Sequence, residues 1–262
     1  MDSLTISLIQ TDIVWENKAA NLHNIEEKIA SLNNSTDIVV LPEMFTTGFS
    51  MRSSEFAEEN SGETVRTLKR WASHFGFAIA GSFIACDQDG KRYNRGFFIT
   101  PEEMHFYDKR HLFRMSDEPN HFTAGDTPLI VNYRNWNISL QICYDLRFPV
   151  WCRNKENEYD LQLFVASWPE PRQRVWDILL KARAIENCAY VAGVNRVGED
   201  NNGLNYLGGS VVIDMKGNIL TGCEPGSETI LTTTLSKEKL LLFREKFPAW
   251  KDADSFTINN LK

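Results

Sequence analysis

"SLQICYDLRFPVW", residues 139–151, reads as a strand that runs into chemistry. Leu140 and Ile142 alternate with polar neighbours at the period-two spacing of a half-buried strand. The alternation stops at Cys143, and Tyr144, Asp145 and Arg147 follow at once, groups that cost free energy to bury. A structural cysteine packs as a small hydrophobe and needs no such company. A nucleophilic cysteine needs a positive neighbourhood that favours its thiolate. The segment therefore poses two questions, which fold carries such a strand end and which other strand ends meet it.

Working outward, the flanking segments alternate between strand and helix patterns. "PLIVNYR" and "WNISLQIC" read as strands joined by a tight Arg134-Asn135 turn, and "DLQLFVAS" as a strand buried on both faces. "RVWDILLKARAIENC" is predicted as a helix with Trp176, Leu179, Leu180, Arg183 and Ile185 on or near its inner face. "AYVAGVN" and "GGSVVIDMKGNIL" follow as strands, the latter turning at Lys216-Gly217, and a last helix is predicted from the N-cap Ser236 to Phe247. The first half has the same style. "LTISLIQ" is a strand, residues 17–33 carry Leu22, Ile25, Ile29 and Leu32 at helical spacing, and "DIVVLPE" is a short apolar strand ending at Pro42 and Glu43. Val65, Leu68, Ala72 and Phe75 mark a second helix, followed by "FAIAGSFI", a turn at Asp89-Gly90 and a strand around Phe106. Buried strands alternating with helices predict an α/β fold, and the hairpins predict mixed sheets rather than a doubly wound parallel one. With no linker, low-complexity segment or repeat, residues 1–262 read as one domain.

Composition removes several function classes. A net charge of −7, with no Lys/Arg run longer than two residues, argues against a nucleic-acid or anionic-membrane partner. No apolar run approaches the roughly 20 residues of a spanning helix, and the first residues lack the basic and apolar regions of an export signal. Five widely spaced cysteines without a C-x-x-C disfavour structural zinc and a disulfide framework, and a reducing cytoplasm fits them. A small-molecule substrate is the partner left open.

Three strand ends carry unusual polar content: "LPEMF", "YDKRHLF" and "QICYDLRFP", offering Glu43, Lys109 and Cys143. A free thiol is only a few per cent ionised at neutral pH, so the nucleophile needs a base or cation. Histidine is the usual partner, and of the five only His111 is a candidate; Glu43, if held near the cysteine, is able to accept the proton, and Lys109 is able to stabilise both thiolate and oxyanion. The backbone N–H of Tyr144 is the expected second oxyanion donor.

Those motifs resemble the nitrilase (carbon–nitrogen hydrolase) superfamily, whose Glu-Lys-Cys triad is matched in order by "VVLPEMFTTGF", "YDKRHLF" and "ICYDLRFP". The resemblance runs from "SLIQTDIVWENKAANL" to "GGSVVIDMKGNIL" and includes "LLKARAIENCAYVAGVNR". It implies a four-layer α-β-β-α sandwich with two mixed β-sheets, commonly paired as a homodimer, and catalysis by Glu43, Lys109 and Cys143 without cofactor or metal. It also nominates Glu118, in "EPNHFTAGD", as a second glutamate that bonds Lys109 and helps place the amide; Asp117 is one residue out of register, and Ala124 stands where a proline is usual. "YDKRHLFRMSDE", "CYDLRFPVWCRN" and "ASWPEPRQRVWDILLKARAIEN" are most similar to the ω-amidases, which hydrolyse the terminal amide of 2-oxoglutaramate and 2-oxosuccinamate.

Substrate-binding candidates are Tyr144, Phe45, Arg147, Trp168 and Arg172. Arg147 has two roles open to it, gripping a substrate carboxylate or locking the cysteine loop by pairing with Asp145. Trp168 is either pocket wall or core, and Arg172 either a carboxylate ligand or a solvated loop arginine. Other readings are an N-carbamoyl amino-acid amidohydrolase, an aliphatic amidase, a nitrile hydrolysing enzyme and, from another class, a non-catalytic binding homologue. A metal-dependent phosphoesterase would need clustered Asp, His and Asn ligands, and the histidines have no such spacing.

Overall fold

A computed structural model describes residues 2–32 and 36–259. The first half consists of β1 (Ser3–Gln10), α1 (Lys18–Ala30), β2 (Ile38–Val40), α2 (Ser53–Phe56), α3 (Glu63–Phe75), β3 (Ala78–Cys86), β4 (Arg92–Ile99) and β5 (Met104–Asp108). The second half begins with α4 (Glu118–His121), β6 (Ile130–Tyr133), β7 (Trp136–Ile142), β8 (Leu161–Ala166), α5 (Gln173–Asn187) and β9 (Tyr190–Asn195). It ends with β10 (Val197–Glu199), β11 (Asn205–Leu207), β12 (Val211–Ile213), β13 (Ile219–Gly222), β14 (Thr229–Ser236) and α6 (Lys237–Lys246).

Two six-stranded mixed sheets result, ordered β14-β1-β2-β3-β4-β5 and β13-β12-β9-β8-β7-β6. Each has a parallel centre, β1-β2-β3 in one and β7-β8-β9 in the other, with antiparallel strands outside it. Alternation along β1 and β7 sends Leu4, Ile6, Leu8 and Ile138, Leu140, Ile142 into one shared core between the sheets. The outer face of the first sheet, with Ile9, Val39 and Ile79, is covered by Leu22, Ile25 and Ile29 of α1 and Leu68 and Trp71 of α3. On the second sheet α5 lies directly on Gly193 of β9, where an added Cβ would stand 2.6 Å from Leu180 and 2.8 Å from Trp176. The expected α-β-β-α layering is what forms.

Most predicted elements appear within a few residues of their expected limits. The first helix ends at Ala30, with Asn17 as N-cap accepting from Ala20 N at 3.1 Å; residues 33–35, where the prediction ended, lie outside the described residues. The Arg134-Asn135 turn has φ of 49° and 67°, the left-handed pair that a two-residue hairpin requires. Ile185 is a correction: it is 54% exposed, and the inner face of α5 is Trp176, Leu180, Arg183, Ala184 and Asn187. Strand β14, "TILTTTLS", is an addition to the predicted elements; it pairs antiparallel with all of β1, from Ser3↔Ser236 to Gln10↔Thr229. The small hairpin β10–β11 was not predicted either.

Candidate active site

Glu43 follows β2, Lys109 follows β5 and Cys143 follows β7, so three strand ends from the two sheets converge. Asn94, inside β4, and Glu118, opening α4, complete the cluster. Cys143 starts a 3-10 turn, Cys143–Arg147, with φ of 44°. Met44, just after Glu43, has φ of 46°, and Asp117, just before Glu118, has φ of 67°. Left-handed backbone at non-glycine residues costs on the order of 1 kcal/mol or more each and gathers where side chains must be aimed. A further constraint is at Gly125, whose N–H donates to Lys109 O at 3.0 Å. A Cβ there would fall 2.1 Å from Asp108 O, so only glycine lets this turn press on the strand end that carries the lysine.

Glu43, Lys109 and Glu118 are all fully buried. Lys109 Nζ donates to Glu43 Oε1 at 2.8 Å and to both Glu118 oxygens at 3.1 Å. Asn94 Nδ2 donates to Glu43 Oε1 at 2.7 Å and Glu118 Oε1 at 3.2 Å, and Ser167 N donates to Glu43 Oε2 at 2.9 Å. Phe113 N donates to Glu118 Oε2. Burial alone would discharge the lysine, but Glu118 and then Glu43 outweigh it and hold the ammonium above the ordinary lysine range. Burial pushes the Glu118 carboxyl up; Lys109 opposes that shift and Glu43 adds to it. Cys143 is pushed well above the ordinary thiol range by burial first and by the Glu43 carboxylate second, with Lys109 pulling the other way. Burial and the Glu43 carboxylate thus favour the neutral thiol, while Lys109 is the neighbour that favours thiolate.

Beyond the thiol lies a narrow slot of about 50 Å³. Tyr144, Arg147, Trp168 and Arg172 line it, as do Phe49 and Phe113. Arg147 lies over the Trp168 ring at 5.4 Å and Arg172 over Phe113 at 5.0 Å. Trp168 is both wall and core, with Nε1 donating to Arg172 O at 2.8 Å. Phe45 is a correction. It is buried against Phe97, centroids 5.9 Å apart, in the α1–α3 core, and the aromatic from that loop that faces the slot is Phe49.

Asp145 does not pair with Arg147. Its Oδ2 accepts from Tyr107 OH at 2.7 Å and Ile142 N at 3.1 Å, and its Oδ1 from His111 N at 3.0 Å and His111 Nδ1 at 2.8 Å. His111 is thereby committed to Asp145 and stacked on Phe148, and is not a slot residue. Asp117 points outward to Asn120 and His121, which leaves Glu118 as the glutamate at Lys109. Asn94, Ser167, Phe49 and Phe113 were missed from sequence. Asn94 had a readable signal, an amide in the middle of the strand "RYNRGFFI"; a backbone N–H such as that of Ser167 has none.

The carbon–nitrogen hydrolase family model matches residues 5–244. The chain belongs to the carbon–nitrogen hydrolase family. This hydrolase is 45% identical to the omega-amidase YafV of Yersinia enterocolitica, over 98% of its own length and 100% of the relative's. It is 32% identical to the 2-oxoglutaramate amidase of Bacillus subtilis, over 95% and 96%. A solved structure from Xanthomonas campestris, a CN-hydrolase superfamily protein with an arsenic adduct in its active site, is 42% identical and superposes with a TM-score of 0.96, over 99% of this chain and 100% of that one. Among the described residues no helix is long and apolar enough to cross a membrane.

Proposed function

We propose that the hydrolase is an ω-amidase that cleaves the terminal amide of 2-oxo dicarboxylic acid monoamides, such as 2-oxoglutaramate and 2-oxosuccinamate. In this reading it acts as a single-domain homodimer in the cytoplasm and needs no cofactor. What carries the reading is the pairing of two features. The buried Glu43–Lys109–Glu118 cluster stands beside a cysteine, and the adjoining slot presents Arg147 and Arg172, neither paired with a carboxylate among the described residues. The names of the relatives point the same way. For the homodimer, support comes from Ile178 and Ile185 on α5 and Leu241 and Leu242 on α6, exposed apolar side chains on the helices outside the second sheet.

The substrate enters with its carboxylate toward a guanidinium and its amide toward Cys143. Glu43 takes the thiol proton as sulfur attacks the amide carbon, so free thiolate never has to persist in a site that disfavours it. The Lys109 ammonium, held by Glu43 and by both Glu118 oxygens, steadies the oxyanion by its charge, and the Tyr144 N–H donates to it. Glu43 then passes its proton to the nitrogen, the C–N bond breaks, and ammonia leaves a thioester on Cys143. Water, deprotonated by Glu43, attacks that thioester. The C–S bond breaks, the proton returns to sulfur, and the 2-oxo dicarboxylate departs.

The test is ammonia release from 2-oxoglutaramate, glutamine, an N-carbamoyl amino acid and an aliphatic nitrile, with intact-mass detection of an acyl adduct that Cys143→Ala lacks. 2-Oxoglutaramate should be the best substrate. Losing a buried arginine–carboxylate contact costs about 2–5 kcal/mol, so Arg147→Met should raise KM for 2-oxoglutaramate at least tenfold while sparing a short uncharged amide. Better turnover of uncharged amides by the wild type would reject the ω-amidase reading and keep the amidase one.

A further inference from the structure

The hairpin β10–β11 forms a separate two-stranded sheet that belongs to neither layer of the sandwich, yet it supplies Leu204 and Tyr206 to the slot wall. β11, which carries Tyr206, also packs against the turn Glu170–Arg172, so the hairpin borders the part of the slot that Arg172 lines. We infer that this hairpin measures the length of the acyl chain, with Tyr206 as a fixed wall and Leu204 as the stop that decides how far the carboxylate end can reach. The identity of the substrates in this inference rests on the ω-amidase reading above.

The two residues differ in how firmly they are held. Tyr206 is buried and its hydroxyl donates to Asp200 Oδ2 at 2.9 Å, so the hydroxyl is committed. The guanidinium of Arg196 lies over the same ring at 4.7 Å. That guanidinium is itself fully buried and tied to Asp12 Oδ1 at 2.8 Å, Val197 O at 3.1 Å and Glu199 O at 3.2 Å. Asp200 Oδ1 accepts from Asn202 N at 2.8 Å and Leu204 N at 3.1 Å, which fixes the turn between the strands. Leu204 therefore has a fixed backbone but is 39% exposed, and among the described residues that line the slot it is the one branched aliphatic. A wall of committed aromatic and a rim of apolar branched side chain suit a methylene chain. They offer a carboxylate no hydrogen bond, so the charge must stop at the arginines and chain length must match the distance to them.

The experiment compares Leu204→Ala and Leu204→Phe with wild type on four-, five- and six-carbon 2-oxo dicarboxylate monoamides and on uncharged aliphatic amides of the same lengths. Because one methylene in an apolar pocket is worth roughly 10–200-fold in discrimination, Leu204→Ala should raise the six- over four-carbon ratio of kcat/KM about tenfold, and Leu204→Phe should lower it. Opposite shifts from two substitutions at one exposed position are not what general loosening of the fold produces. Ratios that stay within about twofold in both variants, or that move the same way, overturn the inference. If the wild type turns over only the uncharged series, the ω-amidase reading fails on that result, and the ratio within the uncharged series judges the hairpin by the same criterion.

Discussion

Burial and Glu43 both push the Cys143 thiol up, and this sets what single substitutions should do. With the thiol above its ordinary value of 9.0, thiolate is scarce at neutral pH, so alkylation by iodoacetamide should climb with pH and show no plateau below that value. Glu43→Gln removes the second largest upward influence and leaves Lys109 beside the sulfur. The variant should therefore alkylate at least as fast as wild type at pH 7, while turnover falls by about 10²–10⁴ for want of the base. A variant slowed equally in alkylation and turnover would mean that Glu43 makes thiolate at rest instead of moving a proton during attack. Lys109→Arg should also fail despite keeping the charge, since a planar guanidinium cannot replace an ammonium held between two buried carboxylates.

At the scale of elements, Asp145 is the joint between the strand end that carries the lysine and the elbow that carries the cysteine. It accepts four hydrogen bonds, three from residues 107 and 111 and one from Ile142 N. Asp145→Asn turns one acceptor oxygen into a donor facing donors, leaving buried N–H or O–H groups unpaired at about 1–3 kcal/mol each. We expect a thermal midpoint lower by roughly 5–10 °C, together with a fall in kcat larger than any rise in KM, because Cys143 and Lys109 lose their mutual register. Unchanged kcat in a folded Asp145→Asn protein would show that the elbow is held by its own backbone alone.

For the whole molecule, the two sheets pack through a shared core and leave α5 and α6 as an outer layer with exposed Ile178, Ile185, Leu241 and Leu242. A second copy covering such a face would continue the layering and bury apolar area that otherwise meets water. Sedimentation should give a dimer for the wild type. Ile185→Glu combined with Leu241→Glu should give a folded monomer, since both side chains are already exposed and charge costs the single chain little. A dimer that survives this pair puts the interface on another face.

Read as a string, the chain by itself determined the α/β class and the strand-end positions of Glu43, Lys109 and Cys143, while Glu118 followed from the resemblance to the carbon–nitrogen hydrolases. Local patterning and short motifs carry that information, since period-two and period-3.6 spacing depend only on neighbours along the chain. The tertiary structure alone decided that Phe45 belongs to the core and Phe49 to the slot, that Asp145 serves His111 and Tyr107 instead of Arg147, and that β14 completes the first sheet from the far end of the chain. It also decided the upward shift of the Cys143 thiol, because burial and the charge of a residue 100 positions away are properties of packing. Neighbours brought together by the sandwich leave no mark in the spacing of either segment, so their interactions become legible only once the two sheets face each other.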